Sequence, residues 1–229
     1  FYNLNDLPQA DLGILAAYGA ILPQSTISHF PLGILNVHPS MLPDLRGASP
    51  VQAAIIRGDK QVGVSIMKMD ALMDHGPIIS QFKGEISETD TTVSVEQRLF
   101  EKSAQFLIKL IPNYLNGKIK LKEQDHSKAT FTKLIKKEDG YIPSKALAQV
   151  ISDQWSVSND YTPNTVHNLI RAMHPWPGVW SKLNTRKRLR ILKAHLESEK
   201  LVLDEVQLEG KKPVTWEQFK AGHPNLKLD

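Results

Sequence analysis
Asn36, His38 and Asp74 are the residues of this 229-residue chain whose types and spacing could do chemistry. Asn36 and His38 stand two apart in the apolar run Ile34-Leu35-Asn36-Val37-His38, which reads as a strand, so an amide and an imidazole share one face. Both can converge on one bound group. Asp74 follows 36 residues after His38, on a loop able to deliver a carboxylate that orients the ring and stabilises its charged form. Two other chemistries are weaker. His38, Asp70, Asp74 and His75 are metal-ligand types without His-x-x-x-His or comparable spacing, so no metal is expected. Ser40 follows His38 by two residues but outside a Gly-x-Ser-x-Gly elbow, which disfavours a Ser-His-Asp hydrolase.

A frame must position these side chains. Residues 12–17 and 33–37 are short continuous apolar runs, consistent with strands buried on both faces of a parallel sheet. Residues 25–30 read as a brief helix or turn. Residues 50–57 read as a helix, with Pro50 in its first turn, Val51, Ala54 and Ile55 at helical spacing, and Gly58 as its stop. Strands are predicted over 62–69 and 78–82, with an acidic loop at 70–76 between them. A long helix at 93–115 carries Val95, Leu99, Phe106 and Leu110 near a helical period and ends at Asn116-Gly117. Strand, helix and strand in this order predict an α/β domain over 1–120. The polar, lysine-rich stretch 121–132 has no period and reads as a linker to a second domain at 133–229. There, a helix is predicted at about 164–173, and 186–196, 200–207 and 216–219 read as strands and turns, giving a small β-barrel or open β domain. Residues 149–161 read as an insertion within it. Trp176, between Pro175 and Pro177, reads as a structural residue whose indole packs inward.

Composition narrows the function classes. Hydrophobic residues make up 41% and charged residues 23%, ordinary for a soluble globular protein. No apolar run approaches about 18 residues, and 1–11 has neither a basic start nor an apolar stretch, which argues against a membrane span or secretory signal. Cysteine is absent, which removes disulfides, thiolate metal sites and cysteine nucleophiles, and suits a reducing, cytoplasmic compartment. The formal net charge of +4 is uneven: from Ala129 onward 16 Lys and Arg stand against 11 Asp and Glu. Lys182, Arg186, Lys187, Arg188, Arg190 and Lys193 are dense, and on a strand Arg186, Arg188 and Arg190 would share a face able to neutralise nucleic-acid phosphates.

The ordered set Asn36-Val37-His38-Pro39-Ser40-Met41-Leu42-Pro43, Leu45-Arg46-Gly47-Ala48-Ser49-Pro50, Gly63-Val64-Ser65-Ile66-Met67-Lys68-Met69-Asp70 and Met73-Asp74-His75-Gly76 resembles the folate-dependent formyltransferases. Lys136-Lys137-Glu138-Asp139-Gly140 and Ala172-Met173-His174-Pro175-Trp176-Pro177-Gly178 are similar to the branch of that family whose acceptor is methionyl-tRNA. The resemblance runs from Asp11 to Pro224. It implies a partial Rossmann-like domain with a mostly parallel sheet, followed by an OB-like β-barrel. In the family, about 30 residues per βα unit place on the order of 60–90 residues before the segment with which this chain opens. A fragment or a reduced protein is therefore expected, with the strand at 12–17 exposing an edge.

The resemblance further implies that a formyl group moves from 10-formyltetrahydrofolate to the amino group of initiator methionyl-tRNA, in translation initiation, with no metal. The tetrahedral carbon of that transfer carries an oxyanion, for which Asn36 and His38 are donors, while Asp74 favours the imidazolium or positions a proton-relaying water. Carried over residue by residue, the folate pocket is formed by Tyr18, Gly19, Ala20, Ile21 and Leu22, by Ile34, by Ser40, Met41, Leu42 and Pro43, and by Met69, Asp70 and Ala71. Arg46, Lys182, Arg186, Arg188 and Arg190 are the expected nucleic-acid contacts. One departure stands out: family loops read Asp-Glu-Gly-Leu-Asp-Thr-Gly where this chain has Asp70-Ala71-Leu72-Met73-Asp74-His75-Gly76, which places in doubt the rate more than the reaction type. A sugar-nucleotide N-formyltransferase and an inactive fragment are the alternatives. A monomer is expected if the open edge is tolerated.

Overall fold
A computed structural model describes residues 7, 9–156, 160–225 and 228. They form two compact units, the first holding β1–β6 and most of the long helix, the second holding Ile135 onward together with Ile55–Asp59 and Glu88–Val93. Element order as far as Leu134 is β1 (Gly13–Ala16), α1 (Gln24–Ile27), β2 (Ile34–His38), β3 (Arg46–Gly47), α2 (Pro50–Arg57), β4 (Gln61–Lys68), β5 (Ile78–Glu85), α3 (Thr92–Leu115) and β6 (Phe131–Thr132).

The main sheet has the order β1-β2-β4-β5. It is mixed where a mostly parallel sheet was expected: β1 and β2 are parallel, while β2–β4 and β4–β5 are antiparallel. The sheet becomes mixed where β4 runs back against β2, and the short loop between β4 and β5 then joins those neighbours as an antiparallel hairpin. β1 also departs from expectation. It pairs with β2 at the edge of the described sheet and is not buried on both faces, since Ile14 is 44% exposed. β4 lies inside the sheet and is buried along almost its whole length. Helix α3 covers the sheet because its apolar positions recur at helical spacing, bringing Leu110, Phe106 and Leu107 onto Leu35 and Ile66.

Ser65 is a fully buried polar residue in β4, and its hydroxyl explains why. It donates to the Ser40 carbonyl at 2.7 Å and accepts from the Leu42 N–H at 3.0 Å and Gln81 Nε2 at 2.8 Å. The loop after β2 is thereby tied to β4. Ser65→Ala would strand those groups away from water, and we expect it to lower stability by about 1–3 kcal/mol. An unchanged urea midpoint would contradict this.

The second unit contains α4 (Ser144–Ile151), α5 (Pro163–Ala172), β7 (Val179–Lys182), β8 (Arg188–Glu197), β9 (Lys200–Leu208), β10 (Val214–Thr215) and α6 (Trp216–Gly222). Its sheet is antiparallel with the order β10-β9-β8-β7. No pairing of β10 with β7 is seen among the described residues, and the separate antiparallel sheet fits the small β domain expected of this half. Leu189, Ile191, Leu203 and Val206 point inward and meet Leu147, Val150, Val166, Ile170 and Phe219. Residues 216–219 begin a helix instead of a strand, because Thr215 and Gln218 form a reciprocal capping box. The expected insertion at 149–161 starts inside α4, and its residues 157–159 lie outside the described residues.

His167 on α5 is buried, and burial followed by the neighbouring Arg171 guanidinium pushes its imidazole below the ordinary value of 6.5. Below about pH 6.5 the unfolded chain therefore takes up a proton that the folded chain resists, so stability falls as pH drops through that range. His167→Gln should flatten this dependence in urea melts between pH 8 and 5. Parallel wild-type and variant profiles would refute the assignment.

Candidate active site
β2 alternates, so Val37 enters the core while Asn36 and His38 emerge together on the other side. His38 is 5% exposed, and its Nε2 lies 3.0 Å from the Leu45 carbonyl. A carbonyl only accepts, so Nε2 carries a proton and Nδ1 faces Asp74. Asp74 Oδ1 stands 3.5 Å from His38 Nδ1 and 3.4 Å from Asn36 Nδ2. The three expected catalytic residues thus converge on one carboxylate oxygen. Both separations exceed an ordinary hydrogen bond, so the Asn36 amide is not committed to the carboxylate and can turn to an incoming oxygen.

The other carboxylate oxygen is anchored. Asp74 Oδ2 accepts the Gly47 N–H at 2.8 Å. Gly47 has φ of +106°, and a Cβ there would meet the Thr132 carbonyl at 2.5 Å, so this position requires glycine. At Gly76 a Cβ would fall 2.0 Å from the Lys68 carbonyl, so a glycine lets the loop return against β4.

Arg46 corrects an expectation. It is 3% exposed and cannot serve as a surface phosphate contact. Pairing of β3 with β6 draws it inward, where Nε and Nη2 donate to Gln124 Oε1 at 3.2 and 2.6 Å and Nη2 donates to His126 Nδ1 at 2.8 Å. His126 in turn stacks on His75 with ring centroids 4.0 Å apart and planes 3° from parallel. His75, the departure from the family loop, also bonds Asp70 through Nδ1 at 2.7 Å. Gln124 and His126 were not singled out from the sequence. They sit in an aperiodic stretch, and their contacts are hydrogen bonds to distant backbone and side chains, for which no spacing rule exists.

Residues expected at the folate pocket lie after β1, at the start of β2, after β2 and after β4. Tyr18, Gly19, Ala20, Ile21 and Leu22 follow the carboxyl end of β1, which the register Ala16↔Val37 sets beside His38, and Tyr18 and Ile21 are exposed. Ser40 and Leu42 are buried: Ser40 donates to the Asp44 carbonyl at 2.6 Å, and Leu42 packs on Met67 and Ile78. Met41 lies against Gly63, and Pro43 is half-buried. Ile34 is buried at the start of β2, where its carbonyl accepts the Met69 N–H at 2.8 Å; Asp70 and the exposed Ala71 continue from there.

In the second unit, Arg188 and Arg190 share the outward face of β8, while Arg186 lies in the preceding turn with φ of +63°. Arg188 is paired with Glu209 at 2.6 Å and holds that carboxyl below its usual range. Lys182 and Arg186 are exposed. Trp176, expected to pack inward, is 61% exposed.

An amide, an imidazole and a carboxylate thus come together beside the mixed sheet. Residues 3–111 match the family described as Formyl transferase, and residues 154–202 match its C-terminal domain. A methionyl-tRNA formyltransferase of Roseiflexus castenholzii is 34% identical over 96% of this chain and 72% of its own length. Another, from Chloroflexus aurantiacus, is 39% identical over 83% of this chain and 56% of its own length. The chain belongs to the formyl transferase family. It spans about half the length of the first curated relatives it matches, 56% for the Chloroflexus protein. Among solved structures, methionyl-tRNA formyltransferase from Clostridium thermocellum superposes with a TM-score of 0.62 at 22% identity, covering 86% of this chain and 77% of that one. A sugar N-formyltransferase from Shewanella gives 0.59 at 22% identity, covering 79% and 68%. At these identities the structures speak for the fold. No helix among the described residues is long and apolar enough to cross a membrane.

Proposed function
We propose that this chain carries the centre that moves a formyl group from 10-formyltetrahydrofolate to the amino group of methionyl-tRNA, the step that prepares the initiator for translation. The observation that carries the reading is the convergence of Asn36 Nδ2 and His38 Nδ1 on Asp74 Oδ1, at 3.4 and 3.5 Å. The amine nitrogen attacks the formyl carbon, and the carbonyl oxygen becomes an oxyanion. Asn36 has a second amide hydrogen to donate, and a protonated His38 adds another. The amine proton passes to Asp74, directly or through a water, and from there to N10 as the C–N10 bond breaks. The products are formylmethionyl-tRNA and tetrahydrofolate.

Donor binding falls to the turns after β1, β2 and β4, where backbone groups of the 18–22 and 69–71 segments recognise the pterin edge. The second unit serves as the tRNA-binding domain. Lys182, Arg186 and Arg190 are its phosphate contacts, and Arg188 contributes less because Glu209 already offsets it. A second reading, in which the acceptor is an amino-sugar nucleotide, is suggested by the fold shared with the Shewanella sugar N-formyltransferase. Labelled formyl transfer to methionyl-tRNA and to an amino-sugar nucleotide, run side by side with the 229-residue chain, separates the two. Label on tRNA supports the first reading, label on the sugar alone supports the second, and label on neither refutes both.

A further inference from the structure
We propose that Gln124 is a positioning residue for formyl transfer, holding the Asp74 carboxylate in place through the backbone of its loop. The inference rests on the reading of Asn36, His38 and Asp74 as the transfer centre. Gln124 is 6% exposed and uses all of its polar capacity. Nε2 donates to the Asp74 carbonyl at 2.9 Å and to the Gly76 carbonyl at 2.7 Å, while Oε1 accepts from Arg46. Arg46 immediately precedes Gly47, whose N–H holds Asp74 Oδ2. The result is a closed circuit: the main chain of Asp74 is fixed to Arg46 through Gln124, and its carboxylate is fixed to the residue next to Arg46.

Asp74 needs such a restraint. Its φ of +48° is a conformation that a non-glycine residue keeps only when its surroundings enforce it. Only an amide of this length can donate twice and accept at the same point. Glutamate would still accept from Arg46 but could not donate to the two carbonyls, and leucine would do neither. Both would free the 74–76 loop to relax, and Oδ1 would drift from Asn36 and His38.

The test compares wild-type chain with Gln124→Glu and Gln124→Leu in two readouts. In steady-state transfer, kcat should fall by about 30–100-fold in each variant while KM for the folate donor stays within about threefold, the pattern of a misplaced group and not of lost binding. In amide hydrogen exchange, the Gly47 N–H should exchange at least about 10-fold faster in both variants while the β2–β4 ladder keeps its protection. A role confined to stability would speed exchange across the whole sheet instead. Should Gln124→Leu fail to fold, Gln124→Glu carries the test alone. Wild-type protection of Gly47 and wild-type kcat in Gln124→Glu would overturn the proposal. If the wild-type chain itself transfers no formyl group, the reading of the centre fails, and Gly47 exchange alone decides whether Gln124 positions the loop.

Discussion

His38→Ala will reduce formyl transfer by about 10²–10⁴-fold, the range over which a positioned proton donor or acceptor contributes. The His38 ring reaches both the Leu45 carbonyl and the Asp74 carboxylate. On the proposed mechanism its loss removes an oxyanion donor and the ring that flanks the Asp74 carboxylate. The substitution also leaves a buried carbonyl without its N–H, so stability should fall by about 1–3 kcal/mol. Single-turnover transfer of labelled formyl, measured well below the variant's melting temperature, separates the two effects. Transfer within a few-fold of wild type would end the assignment of His38.

Asp74→Asn will cost about 10²–10³-fold, since an amide of the same shape can still accept the Gly47 N–H but no longer carries the charge or takes the amine proton. Combined with His38→Ala, it should add little. Residues that act as a unit are strongly non-additive, because removing one disables the other. Fully multiplicative losses in the double variant would show that the carboxylate works independently of the ring.

Much of the frame was legible because burial writes itself as period. The runs at 33–37 and 62–69, the helix at 50–57 and the helix at 93–115 appear within a residue or so of their predicted places. Asn36 and His38 could be put on one face because side chains two apart on a regular strand point the same way. What escaped was set by partners far along the chain. The antiparallel pairing of β4 with β2 makes the sheet mixed, and apolar runs look alike in parallel and antiparallel ladders. Arg46 read as a phosphate contact because its charge is visible in sequence and its partners, Gln124 and His126, are not. α6 could have been found: Thr215-Trp216-Glu217-Gln218 is a capping-box pattern, overlooked beside the β-rich segments before it.

The hydrogen bonds of Gln124 bear on where this protein can be cut and recombined. A catalytic module severed at 120, where the apolar pattern stops, would leave behind the amide that grips Asp74 and Gly76 and the strand that pairs with Arg46 and Gly47. Grafting a different carboxy-terminal half onto this one should therefore place the junction after Leu134, so that the donor of the catalytic half supplies its own 121–134 segment. A chimera joined at 120 would inherit a foreign brace for its carboxylate, and its activity would report the match between two parents more than the merit of either.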